Sequence, residues 1–121
     1  AHEDINFMTL LIAATASGLE LKDHQGQWHP IETPQHTLVV DSADMLQNMT
    51  NGLIKSTTHR VTNPCNDNTS RYSIPFFVHP RSDADISPTK KSVQKQKGQQ
   101  HYPSLTAGNF LNQRLNDIGF A

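Results

Sequence analysis

The chain has 121 residues, with 10 Lys and Arg against 11 Asp and Glu, for a formal net charge of −1. That length bounds it to a single domain, and the near-neutral balance removes the electrostatic footprint expected of a nucleic-acid binder. No apolar run approaches the roughly 18–20 residues of a membrane span, so no membrane partner is expected.

Cys65 is the only cysteine, so no disulfide can form within the chain. A lone thiol and the lack of a visible signal peptide fit a reducing, cytoplasmic location. Asn48-Met49-Thr50 and Asn68-Thr69-Ser70 match the glycosylation pattern, and without a secretory signal both read as chance.

The chain opens on Ala1-His2-Glu3-Asp4. On a strand, side chains at i and i+2 share a face, so His2 and Asp4 can converge with Glu3 turned away. An imidazole and a carboxylate are two of the three groups of a 2-His-1-carboxylate site, which leaves open positions on a non-haem Fe(II). Taken alone, the pair reads equally as surface polar residues. A ligand at residue 2 needs a held backbone, and chain ends are the least ordered part of a domain. The expectation is a fragment of a longer protein.

Residues 6–14 are largely apolar and read as a buried strand, with a helix as the competing reading. Ser17-Gly18 marks a turn. Residues 19–31 read as a β-hairpin around Asp23-His24-Gln25-Gly26, with Trp28 on the return strand. Residues 37–41 are a β-branched strand, 45–49 a short helical segment, and Asn51-Gly52 a strong turn signal. Residues 53–61 read as the next strand, placing Lys55, Thr57 and His59 on one face. Residues 63–70 are a polar loop. Residues 71–78 form the last clear strand, with Arg71, Ser73 and Pro75 on one face and Pro75 marking an edge or an end.

From 79 to 103 Pro, Ser, Gln and Lys dominate, which reads as a solvated segment, with a lid over a cleft as the sharper alternative. Thr106 caps a closing helix whose apolar stripe is Leu111, Leu115 and Ile118, with Gly119 as its C′ residue. The domain plan is 1–80 as catalytic core, 81–105 as a polar segment and 106–121 as the C-terminal helix. Short strands at hairpin spacing followed by one helix argue a mostly β, jelly-roll-like domain.

The later strands supply what His2 and Asp4 lack. His59 sits among β-branched neighbours, a firm platform for a ligand. Arg71 and Ser73 lie two apart, and an arginine fork plus a hydroxyl is a good receptor for a carboxylate. The ordered set His2-x-Asp4, then Lys55-Ser56-Thr57-Thr58-His59-Arg60-Val61, then Arg71-Tyr72-Ser73-Ile74-Pro75-Phe76-Phe77 resembles the C-terminal catalytic region of the Fe(II)/2-oxoglutarate-dependent dioxygenases, in the isopenicillin N synthase-like branch. Gly18-Leu19-Glu20-Leu21, Trp28, Asp44-Met45-Leu46-Gln47 and Thr50-Asn51-Gly52 are similar to the family's linking segments. Tyr102-Pro103 and Thr106-Ala107-Gly108 resemble the tail of bacterial members.

The resemblance implies a double-stranded β-helix (jelly roll), incomplete at its N-terminal side, with a C-terminal α-helix. It implies Fe(II) on His2, Asp4 and His59, and 2-oxoglutarate held by Arg71 and Ser73. It implies oxidation of a small organic substrate with O2, releasing succinate and CO2. The intact Asp4 matches the hydroxylating type, since halogenating relatives lack that carboxylate. Isopenicillin N synthase-like enzymes keep the Arg-x-Ser pair without using 2-oxoglutarate. Ala43 stands where the family has glycine, which implies mild strain if that turn needs positive φ.

His24, His29, His36, His79 and His101 have no motif partners and read as surface or hydrogen-bonded histidines. Cys65 reads as a plain thiol, Trp28, Phe76 and Phe77 as core, and Tyr72 as packing. The second function class is a non-catalytic jelly-roll fragment that folds or self-associates through exposed sheet edges.

Overall fold

A computed structural model describes residues 1–34, 36–63 and 70–120. The Cys65 thiol, the Asn68 tripeptide and most of the predicted 63–70 loop lie outside the described residues. The elements are β1 (Met8–Ile12), β2 (Leu19–Lys22), β3 (Trp28–Pro30), β4 (Leu38–Ser42), α1 (Asp44–Met49), β5 (His59–Val61), β6 (Ile74–Val78), α2 (Lys90–Lys95) and α3 (Ala107–Asp117). Two antiparallel three-stranded sheets form, ordered β4-β1-β6 and β3-β2-β5. The chain crosses repeatedly from one sheet to the other, which is how a jelly roll places its strands. No helix among the described residues is long and apolar enough to cross a membrane.

The predicted hairpin is present, with Glu20 opposite Pro30 and Lys22 opposite Trp28. Asp23 builds its turn by accepting from the N–H groups of Gln25 and Gln27, both at 2.8 Å. Asn51 and Gly52 turn with φ of 54° and 79°. A Cβ on Gly52 would also stand 2.8 Å from the Tyr102 ring. Helix α3 starts on the Thr106 hydroxyl, which accepts from Asn109 N–H at 3.3 Å. It ends at Gly119, where Phe120 N–H reaches Leu115 C=O and Gly119 N–H reaches Asn116 C=O. Ala43 is fully buried at φ −123°, so the turn that suggested strain is ordinary extended backbone.

Four expectations change. The strand expected over 53–61 is regular only at His59–Val61. Upstream, the Gln47 side chain takes Ser56 N–H at 2.9 Å and the Thr50 hydroxyl takes Ile54 N–H at 3.2 Å, so side chains replace a ladder there. Second, β1 is not buried on both faces. Leu10 lies between Val40 and Phe76, and Ile12 between Leu38 and Ile74, in two apolar rows on the outer face. The flanking residues and Ile12 are 55–70% exposed. Third, Phe76 and Tyr72 are exposed rather than core, and Phe77, on the opposite face of β6, is also about half exposed, at the edge of a cavity between the sheets. Trp28 is half-buried beneath the Arg60 guanidinium, 4.0 Å from the ring, while Arg60 Nε donates to Glu20 at 2.6 Å.

Fourth, the polar span 81–105 contains a core residue. Met45, Ile86 and Ala107 are almost fully buried together, with Phe7, Leu105, Phe110 and Leu111 packed around them. Asn48 donates to the carbonyls of Ile86 and Pro103, and Asn51 donates to Gln99 C=O and accepts from His101 N–H. These amides satisfy backbone groups that a loop would otherwise leave to water. Asn48 itself is 1% exposed, so its tripeptide is no glycan acceptor in this fold.

Candidate metal centre

The chain start is not a regular strand. His2 forms an isolated antiparallel bridge with His59, each backbone N–H donating to the other's carbonyl at 3.0 Å. Two residues on, Asp4 C=O accepts from Asp44 N–H at 2.9 Å and Asn6 C=O from Met45 N–H at 3.1 Å. The first N–H groups of α1 have no partner within the helix, so these carbonyls satisfy them. The bridge and the helix start together hold a segment that period-two alternation alone would not.

His2 Nε2 lies 3.4 Å from Asp4 Oδ1, and His59 Nε2 lies 3.8 Å from the same oxygen. The two imidazole centroids are 4.4 Å apart at 60°. One ligand atom from each of the three residues falls within 4.8 Å of the others. Cis ligands of an octahedral divalent ion with bonds of about 2.1 Å stand about 3.0 Å apart. The two distances to Asp4 Oδ1 exceed that spacing by about 0.4 and 0.8 Å, so the side chains must draw in around an ion to reach ligand distances. Side-chain exposure is 8% for Asp4, 15% for His59 and 65% for His2.

Around these three lies a layer that the motif reading missed. His59 Nδ1 is 3.0 Å from Thr57 C=O and 3.4 Å from Asp41 Oδ2. Donation from Nδ1–H to that carbonyl leaves the Nε2 lone pair aimed at Asp4. Asp4 Oδ2 accepts from the Thr9 hydroxyl, which accepts from Asn6 Nδ2 at 3.1 Å. Burial pushes the Asp41 carboxyl above the usual carboxylate range, against the hydrogen bond from Thr57 and the charge of His59. Two signals were available in the sequence. Thr9 is the one polar residue of Met-Thr-Leu-Leu-Ile, and Asp41 alternates with Val39 onto the inward face.

All five predicted site residues line one cavity of about 280 Å³ between the sheets, with Leu11, Leu19, Leu21 and Val39 among its apolar walls. Phe77 stands level with Thr9 across the β1–β6 ladder. Ser73 lies four residues back along the chain, roughly 13 Å if extended. Arg71 Nε donates to Ala16 C=O and Ser17 C=O, each at 3.2 Å, and Nη1 reaches Ser73 Oγ at 3.4 Å. The rest of its fork is free of described hydrogen bonds. Among the described residues no other histidine joins the cluster, and His29 instead pairs with Asp23 at 2.6 Å.

Two imidazoles and a carboxylate gathered between the sheets of a jelly roll define the fold and site class of non-haem metal oxygenases. The chain belongs to the 2OG-Fe(II) oxygenase superfamily, whose family model matches residues 1–80. It is 37% identical over 116 residues to the 1-aminocyclopropane-1-carboxylate oxidase of Dendrobium crumenatum, covering 92% of this chain and 35% of that one. A 2OG-Fe(II) oxygenase family protein from Caulobacter crescentus superposes with a TM-score of 0.87 at 42% identity, over 97% of this chain and 39% of that one. A full-length Neurospora crassa protein, solved in complex with alpha-KG, superposes at 0.86 with 31% identity, over 97% of this chain and 36% of that one. The chain spans about a third of the length of the curated relatives it matches. The family's cofactors are Fe(II) and 2-oxoglutarate, as its name states.

Proposed function

We propose that the chain carries the catalytic core of an oxygenase that oxidises, by hydroxylation, a small organic substrate with O2, releasing succinate and CO2. His2, Asp4 and His59 would hold Fe(II), and Arg71 with Ser73 would hold the distal carboxylate of 2-oxoglutarate. Bound there, these groups supply the activation of O2, one oxygen atom passing to the substrate and one to succinate. The carrying observation is that all five side chains line one cavity, with the three ligand atoms within 4.8 Å.

The residues divide the work. Thr57 C=O fixes the His59 ring with Nε2 inward, and the His2–His59 bridge sets the spacing of the two imidazoles. Arg71, steadied at Nε by two carbonyls, presents its remaining N–H groups to an acid. Two neutral imidazoles and one carboxylate leave a divalent ion with one positive charge in excess, which suits a dicarboxylate partner.

Anaerobic titration with Fe(II), with and without 2-oxoglutarate, tests this. A charge-transfer band on adding both, followed by succinate on admitting air, is the expected result. Arg71→Leu should weaken 2-oxoglutarate binding about 10- to 100-fold, as loss of a charge-assisted pair does. Absence of the band, with His59→Ala changing nothing, overturns the proposal.

A second reading is a non-catalytic fragment that pairs with another copy. The two apolar rows on the outer face of β4-β1-β6 favour that face over the sheet edges as the contact. Three strands of five residues cover roughly 15 by 17 Å, well short of the ~800 Å² per partner of a standard interface. Pairing should therefore be weak and concentration-dependent in sedimentation velocity, and abolished by Phe76→Lys. A concentration-independent monomer excludes it.

A further inference from the structure

We propose that Thr9 is the positioning residue that keeps Asp4 a one-oxygen ligand. This rests on the metal reading above and extends it to a residue that touches no ligand atom aimed at the metal. Thr9 is 5% exposed, Asp4 8% and Asn6 2%. The single Thr9 hydroxyl hydrogen goes to Asp4 Oδ2. Its oxygen accepts from Asn6 Nδ2 at 3.1 Å, and the same amide also donates to Met8 C=O at 2.8 Å. The relay is therefore directional, from Asn6 to Thr9 to Asp4. Its base is fixed, because Asn6 C=O is held by Met45 N–H at the start of α1.

The consequence is chemical. With Oδ2 engaged, only Oδ1 faces His2 Nε2 and His59 Nε2. A carboxylate free to turn can chelate with both oxygens and fill a further coordination position. Three single-atom protein ligands leave three of six positions open for a chelating acid and O2. Thr9 thus protects coordination number rather than supplying a ligand. Its neighbours Met8, Leu10, Leu11 and Ile12 are all apolar, and the other acceptor described for the hydroxyl, Asn6 Oδ1, lies at a longer 3.4 Å.

Co(II) alone is the probe, read by its visible absorption, whose intensity reports coordination number. Thr9→Val keeps shape and removes the hydroxyl, and Thr9→Ser restores it. Expected is a visible Co(II) spectrum weakened by a rise in coordination number in Thr9→Val, with Thr9→Ser like the parent. An unchanged spectrum in a folded Thr9→Val overturns the inference. Should that variant not fold, carboxylate infrared bands of the Co(II)-loaded parent decide. Widely separated asymmetric and symmetric stretches from 13C-labelled Asp mark one-oxygen binding, and closely spaced ones overturn the role. If the parent binds no Co(II), it is the metal reading itself that fails.

Discussion

Gly18 offers a direct test of how the loop before β2 is held. Its φ is +123°, and a Cβ there would stand 2.3 Å from Thr62 C=O. Thr62 N–H donates to Gly18 C=O at 2.9 Å, so the two backbones are in close contact. An alanine must bear a strained backbone of about 1–3 kcal/mol and also push the strands apart, losing a hydrogen bond of about 1 kcal/mol. Against this, alanine narrows the unfolded ensemble by about 0.4–1 kcal/mol. The net expectation for Gly18→Ala is a loss of about 1–3.5 kcal/mol. With a urea slope of about 1–1.5 kcal/mol per M, the midpoint should fall by about 2 M. Trp28, on the strand paired with β2, reports the transition by fluorescence. Gly98→Ala is the control, since Gly98 has φ +77° but nothing within 4 Å of its Cβ position. It should lose only the left-handed penalty of about 1 kcal/mol. Because Arg71 Nε leans on Ala16 and Ser17, Gly18→Ala should also weaken the 2-oxoglutarate binding proposed for Arg71. A midpoint shift no larger than the control's would refute the close-approach argument.

Two further outcomes follow from charges outside the site. Asp44 is 4% exposed and its partner Arg114, at 2.6 Å, is 42% exposed. Arg114→Met strands a buried carboxylate whose Oδ1 has no described hydrogen-bond partner. After discounting for screening at the exposed arginine, a loss of about 1–2 kcal/mol is expected, or about 5–10 °C in Tm. Adding Asp44→Asn should recover most of it, and no recovery would place the effect elsewhere. The Asp23 carboxyl is held below its ordinary range by His29 first and by Gln27 N–H second. A depressed folded value means the turn is supported above the unfolded carboxylate range and loses that support as pH falls below about 4. Protection of the Gln25 and Gln27 amides, taken relative to the intrinsic exchange rate at each pH, should fall through that window in the parent and be flat in Asp23→Asn. Parallel profiles would discard the assignment.

Much of this protein is written in local patterns. His2-x-Asp4, His59 and Arg71-x-Ser73 are legible because each carries a chemistry that its residue type alone supplies, and all five reach one cavity. The hairpin at Asp23, the Asn51-Gly52 turn and both caps of α3 are legible because their determinants lie within six residues of one another. Period-two alternation alone puts Val39 with Asp41 and Thr9 with Leu11 on shared faces but does not say which face is inward. That choice, and everything requiring two distant segments, waited on tertiary structure. The Thr9 hydroxyl matters only because residues 4–6 are folded back onto α1. Residues 53–58 leave the ladder because Gln47 and Thr50 side chains compete for their backbone. Ile86 is core in a segment of polar composition because the Asn48 side chain on α1 caps the Ile86 and Pro103 carbonyls. Phe76 reads as core by hydrophobicity, yet the face it occupies carries no packed element among the described residues. Residue type determined which groups could bind a metal and an acid. Which side chains then hold those groups in place was decided by packing, since buried polar atoms take whatever partner the fold brings within hydrogen-bond reach.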